Sequence, residues 1–96
     1  MANESEKLGE VVKRASRKEI LEVLESQNYS CALSGVQLTP DCAQLDHIIP
    51  ESKGGSHCKD NLQVLHKTVN AMKSAMTQED FLSWCVLIAN HSGAPS

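Results

Sequence analysis

The sequence predicts a small α+β domain whose core is two antiparallel strands and a helix, flanked by an N-terminal and a C-terminal helix. Three observations carry that prediction. The segment 43–49, AQLDHII, alternates so that Leu45, His47 and Ile49 share one strand face and Asp46 and Ile48 the other. A polar segment 51–60 with a Gly54-Gly55 hinge separates it from a second short apolar run, NLQVL at 61–65, so the chain can reverse and pair the two runs. On either side, apolar residues recur at helical spacing behind cap signatures.

Taken in order, residues 1–15 are polar apart from Leu8, Val11 and Val12 and read as a flexible or helical arm. Ser16 with Glu19 forms a capping-box pattern, and Ile20, Leu21, Val23 and Leu24 supply the stripe of a helix over 17–27. Residues 28–41 are rich in turn formers, with short extended pieces around Gly35. After the strand, loop and second strand, residues 66–75 return to helical spacing with Val69, Met72 and Met76. Thr77 and Asp80 mark another helix start, and Phe81, Leu82, Trp84, Cys85, Leu87 and Ile88 form an apolar stripe ending near Asn90, expected to lie in the core. A chain of 96 residues has room for one core, so 16–90 is expected to be a single domain, with 45–73 as its motif-bearing centre and 91–96 as a tail.

Charge and cysteine content narrow the function classes. The net charge of −3 speaks against a uniformly basic nucleic-acid binder. What attracts a phosphate backbone is local potential, however, and Lys53, Lys59, Lys67 and Lys73 all fall within 45–73. Arg14, Arg17 and Lys18 gather at the first helix start, where a solvated helix end is the expected reading. Cys31, Cys42, Cys58 and Cys85 contain no C-x-x-C pair, and neither a secretory run nor a membrane-spanning run is present, so free thiols in a reducing cytoplasm and no membrane partner are expected.

Asp46-His47 is the pair around which chemistry can be built. Hydrolysis of a phosphodiester needs a base for water, a hard cation against the charged oxygens, and support that orients the base. An imidazole, with an ordinary pKa of about 6.5, is neutral and basic near pH 7. Asp46 offers a carboxylate oxygen and Asn70, on the following helix, an amide oxygen to a hard divalent ion. A strand-loop-strand-helix unit returns that helix across the paired strands and can bring the two together.

Asp46-His47, Pro50, Gly54-Gly55, Asn61-Leu62 and Asn70 together resemble the motif of the HNH endonucleases, a family that includes colicin nuclease domains and homing endonucleases. The similarity extends over about 31–85. It implies the ββα-metal (His-Me finger) fold, an HNN variant of the motif, and metal-dependent hydrolysis of DNA. Residue by residue, it implies His47 as the general base, Asp46 and Asn70 as metal ligands, Asn61 as the residue that ties down the loop and orients the histidine, and Lys73 as a phosphate contact beside Lys67 and Lys53. His66 is a further candidate ligand, four residues before Asn70. His57 and His91 have no motif position and are expected at the surface.

Two departures from the family pattern matter. Where many members place two C-x-x-C pairs around a structural zinc, this chain has Cys31, Ser34, His66 and Val69, so no structural zinc is expected. Asparagine rather than histidine at 70 tilts the cofactor towards one Mg2+ or Mn2+ ion. The expected partner is DNA, with a homodimer or a larger DNA-processing assembly as further candidates. The resemblance implies a phage or bacterial setting. The alternatives are a catalytically silent nucleic-acid-binding module of the same fold and a small structural protein in which Asp46 and His47 only cap a turn. Retention of Asp46, His47 and Asn70 together favours the enzyme.

Overall fold

The computed structural model describes residues 14–93. The arm expected over 1–15 thus falls almost wholly outside the described residues, as does the end of the tail. Within them, helix α1 (Arg17–Ser26), strand β1 (Ala43–His47), strand β2 (Leu62–His66), helix α2 (Lys67–Lys73) and helix α3 (Gln78–Ser92) follow one another, with single 3-10 turns at Glu51–Lys53 and Lys59–Asn61. The predicted α+β arrangement is present: β1 and β2 pair antiparallel, from Ala43 opposite His66 to His47 opposite Leu62. α1 packs on β2, and α2 packs on both strands.

Local chemistry explains the helix starts. Ser16 Oγ accepts from the Glu19 N–H at 3.1 Å while Ser16 N–H donates to the Glu19 carboxylate at 2.9 Å, so two orphan donors of α1 are satisfied reciprocally. Thr77 Oγ1 does the same for Asp80 N–H at the start of α3. α2 begins on His66, whose ring Nδ1 accepts from Thr68 N–H at 3.1 Å, and it ends where Ser74 turns to φ 53°.

The core is Val23, Cys31, Leu38, Cys42, Val64 and Leu65, with Leu24, Leu33, Ala43 and Val69 against it. Cys31 and Cys42 thus act as small apolar groups. At Val64 the outer edge of β2 is covered by the Gln27 side chain, which accepts from Val64 N–H at 3.0 Å and donates to Val64 C=O at 2.9 Å, and by Ala32 N–H, which donates to the same carbonyl at 3.2 Å. These bonds stand in for the third strand a two-stranded ribbon lacks.

Two expectations are revised. β1 stops at His47 rather than running through Ile49, because Ile48 C=O accepts from Gln78 N–H and both backbone groups of Ile49 are taken by the Asn61 side chain. The stripe of α3 is not core: Phe81 is buried, but Trp84 is 57% and Ile88 64% exposed. α3 is held through its first turn, where Gln63 donates to Gln78 Oε1 at 2.7 Å, and its later turns run past the small core.

Candidate active site

His47 closes β1, and its ring meets the ring of His57 from the loop. His47 Nε2 lies 3.0 Å from His57 Nδ1, with the rings edge-on at 85°. The other nitrogen of His57 is 2.8 Å from Glu51 Oε2. His47 and His57 line a cleft of about 150 Å3 together with Arg14, Leu45 and Leu62. A larger cavity of about 670 Å3, lined by Glu19, Glu22, Lys59 and Asp60, does not include His47.

Asn61 builds the loop that carries His57. Its Oδ1 accepts from Ile49 N–H at 3.0 Å, and its Nδ2 donates to Ile49 C=O at 3.0 Å and Ser56 C=O at 2.8 Å. The amide thus clamps the chain two residues after His47 to the residue just before His57, which is a tie rather than a contact with the His47 ring. On the other side, Ala15 N–H donates to His57 C=O at 2.8 Å. Gly55 is required where the loop crosses: a Cβ there would collide with the Ile49 carbonyl and lie 2.9 Å from Asn61 Nδ2. Gly55→Ala is therefore expected to destabilise the protein by about 1–3 kcal/mol, as overpacking does. Thermal unfolding checks this, and an unchanged midpoint would show that the loop can give way. Gly54, at φ 89° with open space around it, is expected to tolerate alanine better, at a backbone cost of about 1–2 kcal/mol.

The opposite face of β1 presents Gln44 and Asp46 to α2. Asn70 Nδ2 donates to Gln44 Oε1 at 2.8 Å, and one turn later Lys73 reaches Asp46. Asp46 is 7% exposed and Lys73 wholly buried. The Lys73 ammonium sits 3.0 Å from Asp46 Oδ2 and 3.3 Å from Oδ1, and donates to His47 C=O at 2.9 Å. Gln63 Nε2 adds a bond to Asp46 Oδ2 at 2.9 Å. Lys73 is thereby an internal counter-ion, not the expected surface contact to phosphate. Lys53 and Lys67 are exposed, whereas Lys59 pairs with Glu22 at 2.8 Å, a hydrogen bond that raises its pKa above the ordinary value.

Asp46 and Asn70 thus share a face, as the strand-helix topology requires, while His47 projects to the other. The remaining candidate ligand, His66, sits at the far end of the ribbon, opposite Ala43 and about 14 Å from the His47 end at about 3.4 Å per residue. Its Nδ1 is engaged as the α2 cap, which leaves Nε2 as its one possible ligand atom. Among the described residues, one group of three or more His, Cys, Asp or Glu side chains converges: His47, Glu51 and His57, with ligand atoms within 4.8 Å of one another. Glu51 and His57 carry no motif signal. Only the hydrogen-bonding geometry picks them out, and His57, with a side chain 16% exposed, is not the surface histidine expected from its position.

The donor set can be tested against a hard divalent ion. Among the described residues no buried side-chain nitrogen or oxygen lacks a partner, so no orphaned atom marks a cation position. The Lys73 ammonium is itself a cation on the Asp46 carboxylate, and it marks where positive charge is held. Carboxylate and amide oxygens from Asp46 and Asn70 fit Mg2+ or Mn2+ in kind, in competition with Lys73. At the zinc-knuckle position, burial pushes the Cys31 thiol up, but hydrogen bonds from Ser34 and from the backbone of His66, Ser34 and Leu33 outweigh it and hold the thiol below its ordinary value.

No curated protein matches the chain. Residues 30–75, which carry Asp46-His47, the Asn61-clamped loop, both strands and α2, match the family model of the HNH endonucleases. With the paired strands and crossing helix in place around those residues, residues 30–75 form a domain of the HNH endonuclease family.

Proposed function

We propose that the protein is a metal-dependent endonuclease that hydrolyses DNA phosphodiester bonds, with His47 as the base that activates water. The observation that carries this reading is the placement of His47: at a strand end, lining a cleft, with one ring nitrogen held by His57 and the other without a partner among the described residues. The attacking water forms the new P–O bond, its proton passes to His47, and the P–O bond to the leaving oxygen breaks. Asp46 and Asn70 would hold the divalent ion, which supplies charge stabilisation at the non-bridging and leaving oxygens. Arg14, exposed and lining the same cleft as His47, adds a phosphate-binding charge there, and Lys53 and Lys67 extend it along the backbone.

A plasmid assay across a metal series tests the reading. Mg2+ or Mn2+ is expected to support nicking or linearisation of supercoiled DNA, and EDTA to stop it. Cleavage that persists in EDTA would remove the metal-dependent mechanism.

One observation favours a second reading, a catalytically silent nucleic-acid-binding module. The Lys73 ammonium neutralises Asp46, the carboxylate expected to attract the ion. DNA binding without cleavage under every divalent ion would establish that alternative. The ratio of nicked to linear product also separates action by a monomer from concerted action by two copies.

A further inference from the structure

We infer that Glu51 and His57 are positioning residues that select which nitrogen of His47 is the base; the inference rests on the proposed nuclease reading for its consequence, though not for its geometry. Hydrogens pass along a chain of three side chains in a fixed order. An ionised carboxylate can only accept hydrogen bonds. Glu51 Oε2 is 2.8 Å from His57 Nε2, so His57 Nε2 carries the hydrogen. A neutral imidazole has one N–H, which leaves His57 Nδ1 as a lone pair. That lone pair faces His47 Nε2 at 3.0 Å, so His47 Nε2 is the donor. His47 Nδ1 is then the unprotonated nitrogen, free to take a proton from water. Glu51 sets this outcome without touching His47.

The surroundings hold the chain in register. The His57 backbone is bonded to Ala15, and the preceding Ser56 carbonyl is bonded to the Asn61 clamp. Glu51 opens the 3-10 turn that follows Pro50, closed by Gly54 at φ 89°. The role of Asn61 thereby reaches the base through His57.

A competing use of the same three side chains is chelation of a transition metal. The geometry disfavours it, because His47 and Glu51 address opposite nitrogens of the His57 ring. The donors string out along a chain, whereas ligands of one ion must surround a common point.

Long-range 1H–15N spectra of the metal-free protein, labelled at histidine and recorded at about pH 8 where ordinary imidazoles are neutral, read the tautomers directly. His47 and His57 are both expected as the Nε2–H form. In Glu51→Gln the amide can donate as well as accept, so His47 is expected to shift towards a mixture with Nδ1–H. Nicking is then expected to lose roughly 10-fold in kcat with KM unchanged, a partial loss within the roughly 10²–10⁴-fold worth of a positioned base. His57→Ala is the second variant, and it is expected to release the His47 tautomer more completely. Wild-type His47 in the Nδ1–H form, or a His47 tautomer unmoved by both substitutions, would overturn the inference. A zinc titration that ties both rings to one ion at stoichiometric concentration would also overturn it, in favour of chelation. Because the spectra need neither DNA nor metal, a tautomer shift in a protein that cleaves nothing would sink the nuclease reading alone.

Discussion

Replacing His47 by alanine is expected to slow plasmid nicking by about 10²–10⁴-fold, the range that a positioned general base contributes. The effect belongs on kcat, because His47 moves a proton in the transition state and adds little to ground-state binding of DNA. The fold is expected to survive. His47 ends β1, its ring borders a cleft, and its carbonyl bond to Lys73 is backbone and is retained. Single-turnover cleavage at saturating Mg2+, with circular dichroism as a check on folding, makes the measurement. A rate equal to wild type would remove His47 as the base. The loss is expected to exceed that of Glu51→Gln, since one removes the base and the other only loosens its proton arrangement.

Lys73→Met is expected to destabilise the protein by about 3–5 kcal/mol, the cost of leaving a buried charge without its partner. Asp46 would keep only the Gln63 amide against a carboxylate that is 7% exposed. Adding Asp46→Asn to Lys73→Met removes the stranded charge and is expected to restore much of the loss, so the two substitutions are strongly non-additive. If Asp46 is also a metal ligand, Mg2+ should raise the unfolding midpoint of Lys73→Met more than that of wild type, because the ion takes the place of the ammonium and binds only the folded state. Denaturant unfolding of the two single variants and the double, with and without Mg2+, reads all of this. A loss below about 1 kcal/mol in Lys73→Met would mean that Asp46 finds water or another partner. A midpoint that ignores Mg2+ in Lys73→Met would remove Asp46 from the metal-binding proposal.

The pairing of these two residues also shows where sequence reading stops. Alternation in AQLDHII separates the faces of Asp46 and His47, and the structure keeps that separation. The spacing of Asn70 and Lys73 puts both on one side of α2, one turn apart. Which of them reaches Asp46, and that Lys73 does so from full burial, depends on how far α2 sits along the ribbon. No residue-type pattern encodes that distance. The exposure of α3 is a similar case. Its stripe has the spacing of a core helix, but burial needs a second surface, and a core built on Val64 and Leu65 between α1 and α2 does not extend to Trp84 or Ile88.

Residue types in order were enough for the elements: caps at Ser16 and Thr77, the strand pair and the hinge at Gly54-Gly55. The elements rest on periodicity, capping and turn chemistry, which act over a few residues and are written in residue type, whereas the motif residues Asp46, His47, Asn61 and Asn70 rest on the resemblance to a known family. Only the tertiary structure decided the partners. The loop clamp by Asn61 carries His57 to the His47 ring and Glu51 to His57, while the register of β1 with β2 and the seat of α2 deliver Lys73 to Asp46. Hydrogen bonds and ion pairs form within about 3 Å, so they are settled by packing that sequence spacing does not specify.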